Sequence, residues 1–286
     1  MKLCAFWVVL AVSLAPVAVG AEVAVPQGGA VTQADPVAAL SDILQIGPVI
    51  EVMRAEGVAY GAEMAAEMFP GQDGASWQAM VAVIYDPTTM RARFDAAFRT
   101  ALAGSQQVDE ITRFFGSDLG QRLLTLEVEA RRALLDDAAE EAARLGYAEM
   151  QAAGVTRLQT LQAFVTANDL VDSNVSGAMN ANMAFYRGMA EVGDFAEAMP
   201  EDQMLAEVWA SEPDLRAETE DWLFPYLALA YKPVSDADLQ TYVDFSASPA
   251  GQAANAALFA AFDVVFVALS RDLGRAAATQ MQGQEL

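Results

Sequence analysis

The chain has 286 residues, 54% of them hydrophobic, with 39 acidic side chains against 16 basic ones and a formal net charge of −23. A surface this acidic repels nucleic-acid phosphate and anionic lipid, which argues against both as partners. There is no histidine and a single cysteine, Cys4, so the commonest acid–base, thiol and transition-metal sites are closed to nearly the whole chain.

At the N-terminus, Lys2 precedes an apolar run from Leu3 to Ala15, followed by Pro16 and a set of small residues. That is the pattern of a secretory signal peptide, with cleavage expected after Ala21. An uncleaved anchor is the rival reading, because residues 3–21 carry no charge. Pro16, Gly20 and the lack of a basic flank favour cleavage, and with it a periplasmic or secreted location and no membrane span in the mature chain. Cys4 would leave with the signal, so no disulfide could staple the remaining chain and a hydrophobic core must stabilise it. Lys232 would then be the one lysine beside fourteen arginines. Residues 22–36, with two prolines and paired glycines, read as a flexible leader.

From Val37 onward the pattern is helical, rich in Ala, Leu, Met, Glu and Gln and without alternating β-branched runs. The expected fold is all-α: two related helical modules, 37–150 and 151–277, forming one multi-helix bundle, with a tail at 278–286. Leu119, Leu123, Leu126, Ala130 and Leu134 recur three and four apart and mark one amphipathic helix. Its other face carries Glu127, Glu129, Arg131, Arg132, Asp136, Asp137, Glu140, Glu141 and Arg144. The spacing of four predicts surface pairs Glu127–Arg131 and Glu140–Arg144, each contributing roughly 0.3 kcal/mol.

The boundary between modules is expected near residues 147–156. Beyond it, DSNVSGAMNANM (172–183) places Asp172, Asn174, Ser176 and Gly177 at calcium-loop positions, but Met183 stands where a bidentate Glu belongs. A polar turn is therefore expected there, and no metal. ANMAFYRGMAEV (181–192) reads first as core and second as the lining of an apolar pocket. Lys232 lies in a Tyr-Lys-Pro turn with no serine three or four residues upstream, so Ser–Lys catalysis is not expected.

A short motif occurs twice. FFGSDLGQ (114–121) and FSASPAGQ (245–252) share Phe, Ser, Gly and Gln at the same relative positions. Each reads as a helix–corner–helix joint. The preceding helix ends after the aromatic, Phe114 or Phe115 in the first copy and Phe245 in the second, and Ser117 or Ser248 caps the next one. Pro249, and Asp118 in the other copy, occupy the first helical position. Gly120 and Gly251 let the previous helix pack close. Gln121 and Gln252 complete the motif. Weaker echoes pair Tyr60 with Tyr186 and Pro87 with Pro213, in keeping with a duplicated module.

The stretch SDADLQTYVDFSASPAGQ (235–252) resembles the signature of exported bacterial proteins in domain-of-unknown-function family 2059. The resemblance lies in Ser235, Asp238, Leu239, Phe245, Ser248, Pro249, Gly251 and Gln252, within a family-like segment over 235–275. Ser246 departs from the family's usual Tyr, and Asp118 replaces Pro in the first copy. The resemblance implies a small periplasmic helical domain. The family has no established activity, so no catalytic or cofactor-binding residue carries over.

After the second corner, residues 253–270 are apolar nearly all round, with Asp263 as the only charge. A central buried helix is expected, with a subunit interface and a membrane span as the lesser readings. Carboxylates remain as candidate catalysts: Glu51, Glu63, Glu191 and Asp263 lie on less obviously solvated segments. The expected role is a non-enzymatic interaction or structural component of the bacterial envelope, whose partner is an unidentified envelope protein or a second copy. The alternatives are a carboxylate hydrolase acting on envelope glycan and a carrier of a small apolar ligand. No cofactor is expected.

Overall fold

The computed structural model describes residues 36–70, 74–192, 195 and 199–282. The expected signal peptide, the leader up to Asp35 and the end of the tail lie outside the described residues. Every described element is a helix, and no strand occurs among the described residues. In chain order they are α1 (Pro36–Ile43), α2 (Ile46–Met68), α3 (Ala75–Ile84), α4 (Pro87–Ala101), α5 (Val108–Phe115), α6 (Asp118–Ala133) and α7 (Asp137–Ala153). There follow α8 (Arg157–Ala167), α9 (Leu170–Ala190), α10 (Glu201–Ala210), α11 (Glu212–Ala230), α12 (Asp236–Ser246) and α13 (Pro249–Gln282).

Short polar side chains start several of these helices by accepting the orphan amide three residues on. Asp86 caps α4 ahead of Pro87, Ser117 caps α6, Asp136 caps α7 and Ser235 caps α12. The Asp136 cap corrects an expectation. The amphipathic helix that spacing carried from the first corner to Arg144 is in fact two, because α6 stops at Ala133 and Asp136 accepts from the Ala139 amide at 3.0 Å. A second correction concerns residues 172–183, which form no turn. They lie inside α9, where the Asn174 side-chain amide donates to the Leu170 carbonyl at 2.6 Å.

Helix order recurs along the chain. A short helix and a long one (α1–α2, α8–α9) are joined through a single residue in the left-handed region, Gln45 at φ 55° and Asp169 at φ 45°. Two further helices follow (α3–α4, α10–α11), then a short helix, the corner and a last helix (α5–α6, α12–α13). Among the described helices α7 has no counterpart in this order, and it stands between the two runs.

The last helix of each run packs against the fourth helix of the other: α13 against α4, and α6 against α11. This exchange explains why one contiguous set of buried side chains extends from Leu40 to Ala278. The tightest packing joins α9 and α13 at two glycines. A Cβ on Gly188 would sit 2.1 Å from the Arg271 carbonyl oxygen, and one on Gly274 would sit 2.1 Å from that of Phe185. The Met- and aromatic-rich stretch of α9 is thus core, with Phe185 and Met189 buried. Helix α13 is long and apolar enough to cross a membrane, with a mean hydropathy of 1.9 over its most apolar window, and 56% of that window is buried inside the bundle.

Candidate functional site

Both corners have the same atomic construction. Ser117 Oγ accepts from the Gly120 amide and Ser248 Oγ from the Gly251 amide, each at 3.1 Å. Asp118 and Pro249 are the first residues of the helices that follow. A Cβ on Gly120 would lie 2.3 Å from the Phe114 carbonyl oxygen, and one on Gly251 would lie 2.1 Å from that of Phe245. The glycines are therefore what allow the following helix to cross the end of the preceding one so closely.

Spacing gave no role to the glutamines, and the structure supplies one. Gln121 Nε2 donates to the carbonyls of Phe115 and Ile43, both at 2.7 Å. Gln252 Nε2 donates to those of Ser246 and Ala167, both at 2.9 Å. In each copy the two acceptors are the last residues of the short helices, α5 with α1 and α12 with α8. One amide thus satisfies two orphan C-terminal carbonyls and ties the start of a run to its end. No signal in a single copy reveals this, because the second carbonyl lies about 80 residues away in sequence.

Helix α6 also departs from its expected solvated face. Glu127 and Arg131 are buried, and they do not pair with each other. Arg131 makes a two-point contact with Glu56 of α2, with both nitrogen–oxygen distances at 2.7 Å. Glu127 accepts from the Tyr231 hydroxyl at 2.7 Å, and its backbone carbonyl accepts from the Tyr226 hydroxyl at 3.1 Å. Burial pushes the Glu127 carboxyl up to about 7, against the opposing hydrogen bonds of Tyr231 and Tyr242. The expected pair at Glu140–Arg144 does form, at 2.6 Å.

The carboxylate candidates are scattered. Glu191 lies between Arg271 and Arg275, whose hydrogen bonds hold its carboxyl below the ordinary range. Asp263 accepts from Asn180 at 2.9 Å, and partial burial raises its carboxyl. Glu51 and Glu63 are exposed on α2. Among the described residues none of the four hydrogen-bonds to another, and no cluster of three or more metal-ligating side chains occurs.

Concave surface is found elsewhere. A cleft of about 430 Å³ lies between α7 and the end of α11, with Ala142, Ala143, Gly146, Met150 and Leu229 among its walls. A second of about 450 Å³ lies between α6 and the same end of α11. Leu229 and Lys232 line both. Lys232 is exposed and has no ion pair among the described residues. Its turn is clamped from two sides. Arg157 donates to the carbonyls of Tyr231 at 2.6 Å and Val234 at 2.8 Å, and Arg122 donates to that of Pro233 at 2.5 Å.

Nothing matches the chain among curated proteins or among solved structures. A family does match, over a segment that runs from the first turn of α4 through the first corner and the buried Glu127 to the middle of α7. Residues 89–146 fit the family model described as "Uncharacterized protein conserved in bacteria (DUF2059)".

Proposed function

We propose that the protein is exported and acts as a non-enzymatic interaction or structural component of the bacterial envelope. The observation that carries this reading is how the repeated motif uses its polar groups. Its serine oxygens accept backbone amides and its glutamine amides donate to backbone carbonyls, so the motif builds the fold and presents no reactive group. Support for export comes from the Lys2-led apolar N-terminus, and support for a bacterial setting from a matched family described as conserved in bacteria.

Fractionation of cells expressing the full chain, with intact mass measured on the recovered protein, tests the location. The expected product lies in the periplasmic or secreted fraction and starts at Glu22. A full-length cytoplasmic product would sink the export reading. The role is tested by crosslinking in cells. A discrete crosslinked species should persist when Glu191 and Asp263 are changed to Gln and Asn. Glycan cleavage abolished by either change would establish the hydrolase instead.

A further inference from the structure

We propose that the two clefts meeting at Lys232 form one groove that binds a monoanionic amphiphile, with its apolar chain along α7 and its acidic headgroup on the Lys232 ammonium. The inference does not depend on where the protein resides.

Four observations point this way. First, α7 has no counterpart among the described helices of the repeated order, and none of its residues is fully buried. It runs beside α11, yet the residues it turns toward the cleft include Ala142, Ala143, Gly146 and Ala153, which are too small to fill the space. Tyr147 bridges the gap by stacking on Phe224, with ring centroids 5.8 Å apart. A helix held this lightly gains packing from any apolar chain laid along its inner face.

Second, the dimensions suit a small ligand. The cleft beside α7, about 430 Å³, lies within the usual size range for ligand sites, and it shares Leu229 and Lys232 with the shallower depression beside α6. Third, the lysine is held in place. Arg157 and Arg122 fix the carbonyls on either side of it, and the neighbouring Tyr231 side chain is anchored on buried Glu127. The turn therefore presents an unpaired ammonium at the junction of two apolar walls, which is the arrangement that an amphiphile's head and tail require.

Fourth, the surrounding charge limits the ligand. Glu149 and Arg157 line one cleft, with Arg157 taken up by Asp236 and the two turn carbonyls, and Glu129 lines the other, on a chain of net charge −23. One anionic group can be neutralised by Lys232, whereas a polyanion or an anionic bilayer would be repelled. In chemical terms the headgroup is a carboxylate or a phosphodiester, each with a single charge, and the assay separates the two.

The test titrates the purified full chain with a fluorescent fatty acid and competes it with palmitate, methyl hexadecyl phosphate (a phosphodiester) and hexadecanol. Saturable binding with one ligand per chain is expected, with palmitate or the phosphodiester competing better than the alcohol. Lys232→Met keeps the apolar stem and removes the charge. It should weaken the anionic competitor about tenfold and leave hexadecanol unchanged. Ala143→Trp fills the α7 wall and should weaken all three. Amide exchange along α7 should slow on saturation. Binding by none of the three, an equal effect of Lys232→Met on anion and alcohol, or unchanged α7 exchange would each overturn the proposal.

Discussion

Phe114 and Phe245 lie face to face, with ring centroids 3.7 Å apart and planes 3° from parallel. Each is the first residue of a copy of the corner motif, so the two corners meet each other directly. Full overlap of parallel rings is not the arrangement that ring quadrupoles favour, but edges compensate. Phe115 approaches both rings near perpendicular, at 5.2 Å from Phe114 and 5.4 Å from Phe245. Phe114→Leu and Phe245→Leu should therefore couple. A double-mutant cycle by denaturant unfolding is expected to give an interaction of about 1 kcal/mol, and strict additivity would contradict the stacked contact.

The corner glutamines should matter more than the serines. Replacing Ser117 or Ser248 by Ala removes one cap, a loss of about 1 kcal/mol. Gln121→Met or Gln252→Met leaves two part-buried carbonyls without their donor, a loss of about 1–3 kcal/mol. Urea midpoints for the four single variants settle the order.

Gly188 and Gly274 permit the closest approach between α9 and α13. Ala at either position places a methyl within 2.1 Å of a backbone oxygen, which no side-chain rotation relieves. Each change should lower stability by at least ~2 kcal/mol, read as a drop in Tm of several degrees. An unchanged Tm would mean that the helices cross farther apart.

Glu127 should make stability depend on pH. Its carboxyl goes from an ordinary 4.5 in the unfolded chain to about 7 when folded, so the folded state retains the proton. Its contribution is complete below about 4.5 and is lost as pH rises through 7. At 1.4 kcal/mol per pK unit, the loss is on the order of 3 kcal/mol. The groups that face it are Tyr226, Tyr231 and Tyr242, while Arg131 is occupied by Glu56 and does not neutralise it. Glu127→Gln should flatten the profile of urea midpoint against pH over this interval. The same slope in both proteins would assign the dependence elsewhere.

Much of the local structure was legible in the chain. Ser117, Ser248, Gly120 and Gly251 carry their meaning in spacing, because a cap reaches three residues and a close helix crossing needs an absent side chain. The apolar run after Ser248 announced a buried helix for the same reason, since apolar residues all round leave no face for water. The calcium-like stretch misled because Asp, Asn, Ser and Gly suit turns as readily as they tolerate a helix whose packing is fixed elsewhere. No spacing rule placed the clefts, since they depend on how far α7 stands from α11.

Sequence by itself determined the helical class, the repeated corner and the acidity, all of which follow from neighbours within a few residues. Only the tertiary structure decided that Glu127 and Arg131 turn inward, that the glutamines join the ends of distant helices and that Lys232 stands between two clefts. A surface pair and a buried one share the same spacing of four. Which of them forms depends on what packs against the helix, and here α2 and the turn that follows α11 supply Glu56 and Tyr231 from outside the local chain.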